Sequence, residues 1–144
     1  MLFHSGDLNE PLCVTAQHFC VVELGSAEIV AFYTYDTHLA SRERSCDIAW
    51  MPEFSFVDPD TGESTLGWFR SGCSGTTYRM NGERALGPGL RDMDRFSVKE
   101  RSCEVHFEGR TEAIEYLEVD TRSLICGEAS PGAPKDCEWA PLPQ

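Results

Sequence analysis

The chain has 144 residues and a formal net charge of −12, with 24 Asp and Glu against 12 Lys and Arg. That length fits one domain with a core of its own, and a hydrophobic share of 41% argues against disorder. The acidic residues are spread along the chain, which argues against nucleic-acid binding, and no run of about 18 apolar residues marks a membrane span.

Met1 to Leu12 carries Asp7, Glu10 and Pro11 and lacks a basic segment followed by an apolar one, so it does not read as a signal peptide. A cytoplasmic location is expected, with any membrane association made through partners. Phe19 to Leu24 and Glu28 to Tyr35 are rich in Val, Ile, Phe and Tyr and read as two strands around Gly25-Ser26. Thr37 to Ser45 is polar and Arg-rich and reads as a loop. Short strands follow at Asp47 to Trp50, Glu53 to Val57 and Leu66 to Phe69, with Asp58-Pro59-Asp60-Thr61-Gly62 as a turn. Arg70 to Gly75 is a Gly- and Ser-rich loop. Thr76 to Met80 and Glu83 to Leu86 flank Asn81-Gly82, a strong hairpin signal. Phe96 to Val98, Glu104 to Phe107 and Ile114 to Val119 read as further strands, with Glu108-Gly109 as a turn. Closely spaced strands with turns between them give an all-β fold, an antiparallel sandwich or barrel. The domain is placed at 1–127, followed by an irregular Pro-rich tail at 128–144.

Two polar loops follow strands. The first runs Tyr35-Asp36-Thr37-His38-Leu39 and reaches Cys46. The second runs Arg70-Ser71-Gly72-Cys73-Ser74-Gly75-Thr76-Thr77-Tyr78 and leads through Asn81-Gly82-Glu83 and Gly87-Pro88 to Asp94-Arg95-Phe96-Ser97-Val98. This ordered set, over Val21 to Val98, resembles the Rieske [2Fe–2S] family, whose respiratory branch carries Cys-Thr-His-Leu-Gly-Cys in one loop and Cys-Pro-Cys-His-Gly-Ser in the other. In that family two thiolates hold one iron and two imidazoles the other, and the two remaining cysteines form a disulfide between the loops. The resemblance sets Asp36 at the first cluster Cys, His38 at its His, Ser71 at the second Cys and Ser74 at the second His. It sets Cys46 and Cys73 at the bridging pair. A rival alignment puts Cys73 on the cluster Cys and Thr76 on the His, and breaks the Gly75 match.

Iron–sulfur clusters select soft thiolates, and Asp36 and Ser71 offer oxygen instead. The resemblance therefore implies a Rieske-like fold whose two loops form a former cluster site, with no cofactor and no metal. Asp36, His38 and Cys73 also make a conceivable zinc set, weighed against loop hydrogen bonding for the first two. A Cys46–Cys73 disulfide would tie the loops together, adding roughly 3–4 kcal/mol by the loop-length model. The seven cysteines include no C-x-x-C pair. Cys13 with Cys20, and Cys126 with Cys137, remain open as further pairs.

The function so implied is that of a cluster-free accessory subunit. It would dock through protein contacts on a larger redox or energy-converting complex, with Trp50, Trp68 and Phe69 weighed as a contact patch against a place in the core. Two alternatives are an electron-transfer protein holding a [2Fe–2S] cluster with atypical ligands, and a thiol–disulfide redox sensor. No nucleophile–base motif, P-loop or HExxH suggests an enzyme.

Overall fold

The computed structural model describes residues 10–25, 28–37 and 47–129. His38, Cys46, Cys137 and the tail from residue 130 lie outside the described residues. Among those described, the chain forms β1 (Leu12–Val14), β2 (Phe19–Glu23), β3 (Ile29–Tyr33), β4 (Ile48–Val57), β5 (Ser64–Ser71), β6 (Thr77–Tyr78), β7 (Arg84–Leu86), β8 (Arg95–Phe107) and β9 (Arg110–Ile125). They build two antiparallel sheets, β1-β2-β3-β8-β9 and β4-β5-β6-β7. The all-β expectation holds, and neither sheet closes into a barrel. No described helix is long and apolar enough to cross a membrane.

Three runs differ from the sequence reading. Ile48–Val57 is one strand, with its pairing to β5 interrupted between Met51 and Ser55 around Pro52, which has no N–H to give the ladder. Phe96 to Val98 and Glu104 to Phe107 are parts of one strand of 13 residues. The polar stretch between them stays extended because β9 pairs with it residue by residue, from Ser97↔Asp120 to Phe107↔Arg110. β1 carries no strand signal of its own, and its register with β2 sets Cys13 against Cys20. These two form a disulfide with Cα atoms 4.0 Å apart.

β2 and β3 are buried on both faces, which is why they read as continuous apolar runs. One face, with Phe19, Val21, Ala31 and Tyr33, packs on Phe96 and Leu117. The other, with Cys20, Val22, Val30 and Phe32, packs on Ile48, Phe69, Tyr78 and Met93. Phe32 meets Phe69 edge to face at 5.9 Å between centroids, so this second layer joins the large sheet to the small one. Gly82 (φ 88°) lies flat against the Phe32 ring, and a Cβ there would come within 2.3 Å of it. Asn81-Gly82 thus needs its glycine for packing as well as for the turn. A loop from Gly87 to Asp94 then returns to β8, held by the fully buried Arg91–Asp94 pair. Arg91 donates through Nε and Nη2 to the two carboxylate oxygens, each at 2.7 Å. The chain beyond β9 closes onto that loop. Gly127 N–H donates to Asp94 Oδ1 (3.0 Å) and Asp92 N–H to the Glu128 carbonyl (2.9 Å).

At the far end of the small sheet, the turn after β4 is organised by Asp58. Its Oδ1 accepts from Asp60 N–H at 2.9 Å, and Arg79 grips its carboxylate through Nε (2.9 Å) and Nη2 (2.7 Å). These bonds favour the ionised form and hold the Asp58 pKa down at about 2. A folded-state pKa below the unfolded value means stabilisation that is present above the ordinary carboxylate range and lost as pH falls through about 2. Urea midpoints of the wild type and Asp58→Asn should therefore differ near about pH 6 and converge toward about pH 2. A gap that stays constant across that range would contradict this assignment.

Candidate functional site

The second loop is a tight return between β5 and β6. Ser71 ends β5, and its N–H donates to the Thr76 carbonyl (2.9 Å) while its carbonyl accepts from Gly75 N–H (3.1 Å). Gly75 takes a φ of 73° to complete the turn. The first loop begins beyond β3, where Tyr35 bridges to Asp47. Asp36 and Thr37 follow Tyr35, and both are fully buried.

The structure brings Asp36, Ser71 and Ser74 together. Both serine hydroxyls donate to Asp36 Oδ2, that of Ser74 at 2.8 Å. These partners lie 35 and 38 residues from Asp36 along the chain, so the contact ties one loop to the other. Ser71 Oγ also accepts the N–H groups of Cys73 and Ser74, both at 3.3 Å. With its proton spent on Asp36, Ser74 Oγ accepts from the Thr76 hydroxyl at 2.7 Å. Thr76 Oγ1 in turn accepts from Gly89 N–H at 3.0 Å. Next to it, the Thr37 hydroxyl donates to the Arg91 carbonyl (3.0 Å), so Tyr78 donates its phenol proton to Thr37 Oγ1 (2.7 Å). Burial pushes the Tyr78 pKa upward, so the phenol keeps that proton. Gly89 closes the cluster from above. A Cβ there would meet Thr37 Oγ1 and Thr76 Cγ2, each at 2.7 Å.

The chemistry this permits is narrow. The Ser71, Ser74, Thr76 and Thr37 protons all have acceptors within the cluster, and Ser71 is 2% exposed and Thr76 not at all. A hydroxyl so engaged is neither an available nucleophile nor a metal ligand without first breaking a buried bond. Two surface grooves, of about 330 and 420 Å³, flank Trp50, and neither is lined by Asp36, Ser71 or Ser74. Among the described residues, no three His, Cys, Asp or Glu side chains gather as a metal site. The zinc set of Asp36, His38 and Cys73 includes His38, outside the described residues.

Cys73 sits exposed on the crest of the second loop and is disulfide-bonded, as is Cys126. Cys46, the mate that the sequence suggests for Cys73, lies outside the described residues. Trp68 and Phe69 are 1% and 0% exposed, which removes them from any contact patch. Trp68 bonds to the Thr65 carbonyl (2.9 Å), and Phe69 packs between Phe32 and Trp50. Thr37, Tyr78, Gly89 and the Arg91–Asp94 pair are not marked by the sequence as site residues, and Thr76 enters there only as the His position of the rival alignment. The available signal was a run of polar residues, Thr76 and Thr77, beside a Tyr in a strand whose neighbours are apolar.

Replacing Asp36 by Ala removes the acceptor of the buried Ser71 hydroxyl and of the half-buried Ser74 hydroxyl. The expected loss is about 2–4 kcal/mol, read from urea denaturation, with Ser74→Ala costing about 1 kcal/mol. A loss below about 0.5 kcal/mol for Asp36→Ala would mean that the cluster does not hold the loops. Comparison of the chain with protein-family models, with curated proteins and with solved structures finds no match.

Proposed function

We propose that the chain is a Rieske-like domain that has exchanged its iron–sulfur site for hydrogen bonds, and that it serves by docking as an accessory subunit of a larger redox or energy-converting assembly. The observation that carries this reading is the meeting of Asp36, Ser71 and Ser74. These are three of the four positions that the resemblance assigns to cluster ligands, and they come from loops far apart in sequence. Their hard oxygen donors are turned on one another, where a cluster would need two thiolates and two imidazoles.

The disulfide at Cys73 fits the same reading. A bond from Cys73 to Cys46 would clamp the two loops from outside while the hydroxyl cluster joins them from within. Four of the five described cysteines are in disulfides, Cys103 being the exception. That pattern favours an oxidising compartment over the cytoplasm. The net charge of −12 suits a basic docking face on the partner.

The test is iron and acid-labile sulfide analysis of protein purified anaerobically from its host, with native-gel fractionation of the same extract. A colourless protein that co-migrates with haem- or iron–sulfur-containing subunits is expected. A brown protein with stoichiometric iron and sulfide would establish the electron-transfer alternative instead. A colourless chain found solely as the free species would remove the accessory role.

A further inference from the structure

The β8–β9 hairpin runs well beyond the sheet that anchors it. β3 pairs with β8 at Arg95 and Phe96, and from Ser97 outward the described partner of β8 is β9. A two-stranded ribbon is marginal in water unless one face is covered.

The alternation along this ribbon changes sides. Near the body, Phe96 and Leu117 belong to the core and Val98 and Val119 pack against it, all on one face. Farther out, that same face becomes polar, with Ser102, Glu104 and His106 opposite Glu115, Ala113 and Thr111. The apolar residues move to the opposite face, where Cys103, Val105 and Phe107 stand with Ile114 and Tyr116. Val105 is 37% exposed and Phe107 61%. Because alternation dictates which face of a strand is buried, a change of side calls for a second layer on the other side of the outer half.

We propose that this layer is the same face of a second copy of the chain, packed antiparallel about a two-fold axis at the level of Cys103 and Ile114. The charges favour a copy of itself. The face carries Lys99, Arg101 and Glu118 toward the body and Arg110 and Glu112 toward the tip. Two-fold packing about Cys103 sets Arg110 over the second copy's Glu118 and Phe107 over the stem of the second copy's Lys99. From the Lys99–Glu118 pair to the tip, three cations and two anions make this face nearly neutral in a chain of net charge −12. The opposite face carries Glu100, Glu104 and Glu115 without a Lys or Arg. The antiparallel arrangement also holds the two acidic bodies at opposite ends, where they repel least. Cys103, the free exposed cysteine among those described, then lies on the axis, close to its copy. The inference stands apart from the iron–sulfur likeness, which concerns the other sheet.

Sedimentation equilibrium of the full chain, from about 1 µM to about 500 µM, should show a reversible monomer–dimer equilibrium of the weak class expected for a contact below roughly 800 Å² per partner. A short bis-maleimide should give a covalent dimer that Cys103→Ser abolishes. The pair Val105→Lys and Phe107→Glu should return the chain to monomer while far-UV circular dichroism is unchanged. Should that pair disturb folding, Arg110→Glu at the exposed tip should still weaken association at least about tenfold. A chain that stays monomeric throughout would overturn the proposal. So would a dimer indifferent to these substitutions, or one cross-linked without Cys103, since the contact would then lie elsewhere.

Discussion

The site rests on one buried carboxyl group. Asp36 stands where two loops meet, fully buried, and a carboxyl group there is stable only if its oxygens are satisfied. Ser71 and Ser74 supply donors from the other loop. Ser74 is satisfied further along, through Thr76 to the Gly89 amide, and Ser71 by the N–H groups of Cys73 and Ser74. Removing any member strands its neighbour, so the network acts as a unit. A metal centre and a hydrogen-bonded cluster can do the same mechanical work of pinning two loops. The second does it without redox chemistry, and the proposed function follows from that difference.

The pinned loops need a rigid floor, which the double-sided burial of β2 and β3 provides. Phe32 reaches across to Phe69 and Tyr78 in the small sheet, and Gly82 leaves room for its ring. Tyr78 is therefore held at both ends, by packing along its ring and by Thr37 at its hydroxyl. The Arg91–Asp94 pair fixes the third side. Breaking such a buried pair leaves an uncompensated charge and typically costs about 3–5 kcal/mol. Its carboxylate also receives the Gly127 amide, so the end of β9 is tied to the same loop as the site.

Much of the strand pattern was legible. Phe19 to Leu24, Glu28 to Tyr35 and the Asn81-Gly82 hairpin follow from local composition, because burial on both faces and the demands of a tight turn both leave residue-level marks. The length of β8 was not legible, since Lys99, Glu100 and Arg101 are poor strand formers made extended by pairing with β9. The Cys13–Cys20 bond was open because the register of β1, not sequence spacing, decides it. Asp36, Ser71 and Ser74 were singled out through the resemblance. That they bond to one another is a property of the fold, and no local pattern announces it. The buried Arg91–Asp94 pair was missed for a similar reason, as two charged residues in a polar loop read as solvent-exposed.

The central claim is that Asp36, Ser71 and Ser74 act as a coupled unit. A double-mutant cycle on urea stability, with Asp36→Ala and Ser71→Ala singly and together in the presence of a chelator, measures this most directly. The account predicts that the two losses fall short of adding by at least about 1 kcal/mol. Losses that add within about 0.3–0.5 kcal/mol would contradict it.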